Sequence, residues 1–325
     1  MSPILPPRDR LTIGFAHVAY RMKEAFDARG TGVRHFQVYD RGELDRRCPE
    51  IDVLVVSGLW HNGVLNAAPK LRWIQSIGAG YDQFPLDDLR KRGIRLTRAY
   101  GVNRNAVAEH TFALILSLSR HLHYCRDNQR KHLYRQMISD IARREDELGG
   151  KTLGIIGLGH IGSRVAELGK AFDMRVIATK RDPGTYRGHA DRVLTPDHAD
   201  EVIGQADFLV LNCPLTPQTR GLINTRTLGL MKPSAFLVNV ARGGCVDEPA
   251  LLAALREGRI AGAALDHFNE DPLPPSSPFW DLDNALITPH TAGETRKYEE
   301  NVIDILLENL ARLERGESQL LHEVT

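Results

Sequence analysis

The chain has 325 residues, enough for two domains of ordinary size. Its 42 Lys and Arg balance 41 Asp and Glu to a net charge of +1, so no basic surplus points to nucleic acid or to an anionic membrane. Charged residues at 26% and hydrophobic residues at 42% fit a soluble globular protein and argue against a disordered one. The four cysteines, Cys48, Cys125, Cys213 and Cys245, are scattered, with no C-x-x-C pair. That pattern predicts reduced thiols in a cytoplasmic protein, with neither a disulfide framework nor a metal site. The opening Met-Ser-Pro-Ile-Leu-Pro-Pro-Arg-Asp-Arg lacks the apolar core of a signal peptide. The most apolar helical candidate, Ala106 to Leu118, is interrupted by Glu109 and His110 and is too short to span a bilayer.

In chain order, a first series of short apolar runs predicts strands at Leu11 to Ala16, Val33 to Tyr39, Asp52 to Ser57, Leu71 to Ile77 and Arg95 to Ala99. A long helix is expected from about Arg104. The Arg- and Lys-rich stretch Arg126 to Arg144 is expected to be a solvated helical face, since Asp127, Asp140, Glu145, Asp146 and Glu147 are mixed into or follow it. A second series starts at Lys151. It continues through Met174 to Thr179, Ala206 to Asn212, Ala235 to Val240, Ile260 to Leu265 and Ala285 to Thr288, and a helical tail runs from Glu294 to Arg315. Apolar runs alternating with helices imply parallel sheets covered on both faces. The expected fold class is α/β: two Rossmann-like, doubly wound, parallel-sheet domains. Residues 104–291 would be a nucleotide domain inserted into a substrate domain made of 1–103 and 292–325, with a cleft between the two.

The stretch Lys151-Thr-Leu-Gly-Ile-Ile-Gly157-Leu-Gly159-His160-Ile161-Gly162 says most about function. It is an apolar strand running into G-x-G-x-x-G and then into a helical pattern, Ser163 to Phe172. That context separates a dinucleotide fingerprint from a chance glycine match. Gly157 would allow the turn, Gly159 would let backbone approach a pyrophosphate, and Gly162 would let helix and strand pack closely. The helix N-terminus then offers N–H groups and partial positive charge to the phosphates.

Three further motifs each follow a predicted strand: Asn239-Val-Ala241-Arg242-Gly-Gly, Ala264-Leu-Asp266-His-Phe-Asn-Glu270-Asp271-Pro272 and Thr288-Pro-His290-Thr-Ala-Gly293. An Arg, a carboxylate and a His so placed suit a small carbonyl acid. The Arg would hold the carboxylate and polarise the carbonyl. The His would move the hydroxyl proton, and the carboxylate would orient the imidazole and favour its charged form.

On these motifs the chain resembles the D-isomer-specific 2-hydroxyacid dehydrogenase family over essentially its whole length. The resemblance also covers Ser76-Ile-Gly78-Ala79-Gly80-Tyr-Asp82, Asn105 to His110, and Pro214-Leu-Thr216-Pro-Gln-Thr219. It implies hydride transfer between a nicotinamide cofactor and a 2-oxo or 2-hydroxy acid. It implies Arg242, Asp271 and His290 as catalytic residues and Gly78, Ala79 and Gly80 as the substrate-carboxylate nest. It implies Gly157, Gly159, His160, Ile161, Gly162, Lys180, Arg181, Pro214, Thr219, Ala241 and Asp266 around the cofactor, with Asp266 at the nicotinamide carboxamide. It also implies a homodimer formed through the nucleotide domains and a helical arm at about His121 to Leu148.

Three departures from the family pattern shape the expectation. The family's His-orienting glutamate falls on the shorter Asp271, with Glu270 beside it as the competing candidate. Lys180 and Arg181 stand where an NAD-binding member carries an acidic residue, and two cations there favour a 2′-phosphate and so NADP, with NAD still open. The stretch Ser57-Gly-Leu-Trp60-His61 lacks the Arg that phosphoglycerate dehydrogenases carry, and the chain ends too soon after its last helix for a regulatory domain. The expected activity is therefore NADPH-dependent reduction of a small or partly apolar 2-oxo acid, such as glyoxylate, hydroxypyruvate or an arylpyruvate, to the D-2-hydroxy acid. The alternatives are NAD-dependent oxidation at the same site and a nucleotide-sensing, corepressor-like regulator with little turnover. No nucleic-acid or membrane partner is expected.

Overall fold

A computed structural model of the chain describes residues 5–81 and 83–325; Asp82 of the glycine-loop motif and the first four residues lie outside them. The chain divides into two compact units, Met1–Val102 with Thr295–Thr325, and Asn103–Glu294.

The first unit is built on a five-stranded sheet. Its strands are β1 (Thr12–Ala16), β2 (Arg34–Val38), β3 (Val53–Val56), β4 (Trp73–Ser76) and β5 (Arg95–Arg98), in the order β2-β1-β3-β4-β5, all parallel. β1, β3 and β4 are buried along their whole length; β3 is accordingly an uninterrupted apolar run, while β4 buries the polar Gln75 and Ser76. The C-terminal helix Tyr298–Glu314 closes one face. Its Tyr298, Val302, Ile303, Leu306 and Leu310 recur at helical spacing and share a core with Ile13, Phe15, Phe26 and Trp73. The buried Gln75 amide ties β4 to this helix, donating to the Val302 carbonyl at 2.9 Å.

The second unit carries a seven-stranded parallel sheet. Its strands are β6 (Thr152–Ile156), β7 (Arg175–Thr179), β8 (Arg192–Leu194), β9 (Phe208–Leu211), β10 (Phe236–Asn239), β11 (Gly262–Leu265) and β12 (Ala285–Ile287), in the order β12-β11-β10-β9-β6-β7-β8. The chain leaves β6 toward β7 and β8, then returns to place β9 on the other side of β6. The crevice at this switch point, beyond the strand C-termini, is where doubly wound sheets bind ligands. The helix Arg104–Ser119 packs Val107, Ala108, Phe112 and Ile115 into a core with Leu153, Ile155, Val210 and Val238.

Two local expectations need correction. The arm after His121 is not a long helix. The helix Leu122–Arg130 ends in a Schellman arrangement, with His132 at φ 57°, its N–H donating to Gln129 and the Leu133 N–H donating to Asn128. Residues 133–140 then run without regular structure. Strand β8 was not foreseen, because it is only three residues long, opens on Arg192 and is half-exposed at the sheet edge.

Candidate active site

The fingerprint glycines each answer a steric demand in the second unit. Gly157, directly after β6, has φ 102°, a region L side chains avoid, and a Cβ there would stand 2.8 Å from the Cys213 backbone. A Cβ on Gly162 would stand 2.3 Å from the Gly157 carbonyl oxygen. Gly159 is the extended N-cap of the helix His160–Ala171, so the helix begins three residues earlier than the sequence pattern suggests. His160 and Ile161 therefore form its first turn, where N–H groups and the helix dipole favour an anion.

Across the switch point, directly after β9, the Asn212 amide is buried, and neither of its polar atoms has a partner among the described residues. The backbone carbonyl carbon of Asn212 lies 2.9 Å from where a Gly157 Cβ would stand. A glycine cradle beside an unpaired buried amide fits a polar ligand such as a dinucleotide, since an orphaned amide is costly unless something pairs with it. Lys180, just past β7, turns its Nζ to the Leu158 carbonyl at 3.3 Å, which places its charge on the fingerprint loop, and Arg181 is exposed next to it. The Pro214–Thr219 loop closes on itself, with Thr219 Oγ1 donating to the Pro214 carbonyl at 2.6 Å and accepting from the Thr216 N–H at 2.8 Å.

Arg242 follows β10 on a turn that Asn239 clamps. The buried Asn239 side chain accepts from the Ala241 N–H at 3.1 Å and donates to the Arg242 carbonyl at 3.1 Å. The Arg242 side chain is exposed, and its Nη1 rests on the Ala241 carbonyl at 2.7 Å. Gly243 must lack a side chain, because a Cβ would lie 2.0 Å from the Phe268 carbonyl carbon. The arginine turn is thereby pressed against the segment that leads to Asp271.

His290 follows β12 and adopts φ 54°, an uncommon conformation for a non-glycine residue. Asp266 holds it there. The Asp266 carbonyl accepts the His290 N–H at 3.0 Å. Its fully covered carboxylate accepts from Thr288 Oγ1 at 2.6 Å, Thr291 N–H at 2.9 Å and Ala292 N–H at 3.0 Å. In these bonds Asp266 anchors the histidine loop; a contact with a nicotinamide carboxamide, which the resemblance implies, would have to use its remaining lone pair. Half-exposed, the His290 ring directs Nδ1 to Asp271 Oδ2 at 2.5 Å. Nε2 is left as the atom able to exchange a proton with substrate.

In the first unit, Gly78, Ala79 and Gly80 follow β4. The carbonyls of this loop are engaged: Ile77 accepts from the Tyr298 hydroxyl at 3.2 Å, Gly78 from the Ala99 N–H at 3.2 Å, Ala79 from Arg98 Nη1 at 3.3 Å and Gly80 from Ser76 Oγ at 3.1 Å. Among the described residues no acceptor is bonded to the amides of Gly78, Ala79 and Gly80. Successive free N–H groups of this kind form an anion-binding concavity.

Residues 112–292 match the sequence model described as D-isomer specific 2-hydroxyacid dehydrogenase, NAD binding domain. The chain belongs to this family. It is 37% identical over 290 residues to the glyoxylate reductase of Pyrococcus furiosus, covering 85% of this chain and 83% of that one. Among solved structures, a family protein from Aeromonas salmonicida subsp. salmonicida superposes with a TM-score of 0.84 at 29% identity, over 97% of this chain and 99% of that one. The family dehydrogenase of Xanthobacter autotrophicus, solved with NADPH and MES, gives a TM-score of 0.80 at 27% identity, over 97% and 98%. The protein is therefore an enzyme, an NAD(P)-linked dehydrogenase or reductase of 2-hydroxy and 2-oxo acids. Among the described residues no helix is long and apolar enough to cross a membrane.

Sequence reasoning left several residues of this dehydrogenase's site unnoticed. His267 packs against the catalytic candidate, with ring centroids 3.9 Å apart and the rings tilted by 57°. His110 bonds Thr288 Oγ1 at 3.0 Å and so touches the network that Asp266 organises. Glu248 accepts the Asn269 N–H at 2.6 Å and steadies the segment before Asp271. Position after a strand could have flagged His267, which directly follows Asp266; nothing local marks His110 or Glu248.

Proposed function

We propose that the enzyme reduces a small 2-oxo acid to the D-2-hydroxy acid, with NADPH as the preferred reductant, NADH as a poorer one, and Arg242, Asp271 and His290 as its catalytic residues. The observation that carries the reading is the 2.5 Å contact between His290 and Asp271 on the unit that also holds Arg242 and the fingerprint. The bound dinucleotide supplies the hydride. Arg242 holds the substrate carboxylate through its planar fork and polarises the adjacent carbonyl. The amides of Gly78, Ala79 and Gly80 take part in carboxylate binding. His290 gives a proton to the carbonyl oxygen, and Asp271 fixes the imidazole and stabilises its charged form.

Support for the cofactor preference lies in Lys180 and Arg181, the two cations just past β7 where a ribose-binding carboxylate would repel a 2′-phosphate. The substrate class rests on the glyoxylate reductase relative and on the absence of a cation in the Ser57 to His61 stretch before its histidine, whose Nε2 already bonds Asp45 at 2.8 Å. Exposed Leu133, Tyr134, Met137 and Ile141 support a homodimer formed by this arm, since a monomer gains nothing from exposing them together. Oxidation of reduced nicotinamide, followed by absorbance over a panel of 2-oxo acids with each cofactor, tests the reading. No turnover with glyoxylate, hydroxypyruvate or an arylpyruvate would remove it.

A further inference from the structure

Beside the proposed catalytic pair lies a third ionisable ring that the chemistry above does not use. His267 directly follows Asp266 at the end of β11, and its side chain is only 8% exposed. Its ring lies 3.9 Å from that of His290, tilted by 57°. Asp271 occupies the Nδ1 edge of His290, so two neighbours touch that imidazole: a hydrogen-bonded carboxylate at one edge and the tilted His267 ring.

The charged surroundings of His267 are mixed. From its own strand end Asp266 approaches, with Oδ2 3.7 Å from Nε2, beyond hydrogen-bond length. Asp271 lies on the following segment, His290 on the loop after β12, and Arg242 on the turn after β10. His110, on the helix Arg104–Ser119, faces the same Asp266 from 3.7 Å. The Asp266 carboxylate is already committed to Thr288, Thr291 and Ala292. Buried, lacking a hydrogen-bonded carboxylate and next to an arginine, His267 is a poor place for a second positive charge.

We propose that His267 is a positioning residue that keeps the single proton of the imidazole pair on His290 and holds that ring in its reactive orientation. Two imidazolium rings in contact repel, so a second proton on the pair is disfavoured. Asp271 stabilises the single proton on the outer ring, where substrate can take it. The neutral inner ring packs against the outer one and limits its rotation. Burial accounts for the same asymmetry: desolvation, reinforced by the charges of His290 and Arg242, pushes the His267 imidazole down to about 4, so it is uncharged at neutral pH.

This inference rests on His290 being the proton donor, and the test separates the two. The holoenzyme is assayed for reduction of glyoxylate or hydroxypyruvate across a pH series in wild type, His267→Val, His267→Phe and His290→Ala. Ring ¹⁵N spectra of wild type, His267→Phe and His290→Ala report which imidazole of the pair is charged. His267→Val should lower kcat by about tenfold, because a misplaced catalytic group costs that much or more, and should move the alkaline limb while leaving KM for the cofactor unchanged. His267→Phe keeps a ring in the same volume and should restore kcat to within about threefold of wild type. The spectra should show one charged ring below neutral pH, absent in His290→Ala. The inference is overturned if His267→Val keeps the wild-type kcat and pH profile, if Phe rescues nothing while the protein remains folded, or if His267 is the ring that charges first. If His290→Ala is fully active, the catalytic assignment itself fails.

Discussion

The His290 imidazole meets Asp271, not its chain neighbour Glu270: Nδ1 and Oδ2 are 2.5 Å apart. One methylene shorter than glutamate, the aspartate still reaches, because His290 is held at φ 54° by the Asp266 network and turns its ring toward the Asp271–Pro272 segment. Asp271→Asn should therefore lower the maximal rate of 2-oxo acid reduction. It should also move the alkaline limb of kcat/KM to lower pH, since a neutral amide no longer favours the protonated ring that reduction requires. Glu270→Gln should leave the limb in place. A pH series on both variants decides it, and an exchange of their behaviours would reassign the partner.

Arg242→Lys should raise KM for the 2-oxo acid and also lower kcat. Lysine offers a point charge in place of a planar fork, so it cannot hold a carboxylate and polarise the neighbouring carbonyl together. Steady-state kinetics at saturating cofactor measure both effects, and a variant indistinguishable from wild type would move the clamp elsewhere.

Lys180 and Arg181 should set the choice between NADPH and NADH. Charge-assisted hydrogen bonds contribute roughly 1.5–3 kcal/mol each, so the two together correspond to about a hundredfold or more in preference. The double substitution to alanine should lower kcat/KM for NADPH and leave that for NADH nearly unchanged. Equal efficiencies for the two cofactors in wild type would contradict the assignment.

Gly243→Ala should damage stability and turnover together. The added methyl would sit 2.0 Å from the Phe268 carbonyl carbon, and backbone cannot yield as a flexible side chain would. Overpacking of this kind costs about 1–3 kcal/mol or more, and the displaced segment carries Asp271. Thermal denaturation and kcat measured on one preparation should fall in parallel.

His267 should also make folding stability depend on pH. Its folded-state affinity for a proton is depressed to about 4 by burial first, then by His290 and Arg242. The unfolded chain binds a proton at about 6.5. Between these values the unfolded state holds more protons, so stability rises with pH. The contribution, up to about 3 kcal/mol, is fully present above about pH 6.5 and is lost as pH falls toward about 4. In His267→Phe the thermal midpoint should decline less over that window; an unchanged slope would refute the linkage.

Much of the architecture was legible because buried parallel strands leave an unambiguous mark. The runs at Val53–Val56 and Phe208–Leu211 are apolar throughout, and the fingerprint binds strand, turn and helix into one short string. Short or exposed elements leave no such mark: β8 opens on Arg192, and the helix after His121 stops where His132 takes a left-handed conformation that few non-glycine residues signal. At the candidate site, the proposed catalytic residues follow strand ends and carry recognisable types. Their support does not. The Asp266 carboxylate, which the resemblance places at the nicotinamide, also anchors the His290 loop, and no local pattern marks those bonds. His110 lies 178 residues from Thr288, and no periodicity connects them.

The central claim is that His290, oriented by Asp271, delivers the proton as hydride reduces a 2-oxo acid. Single-turnover reduction of hydroxypyruvate by the NADPH complex, compared between wild type and His290→Ala, tests it most directly. The rate in His290→Ala should fall by about 10²–10⁴, the scale of a positioned acid, with NADPH affinity intact by fluorescence titration. A variant that binds NADPH normally and reduces the substrate at the wild-type rate would contradict it.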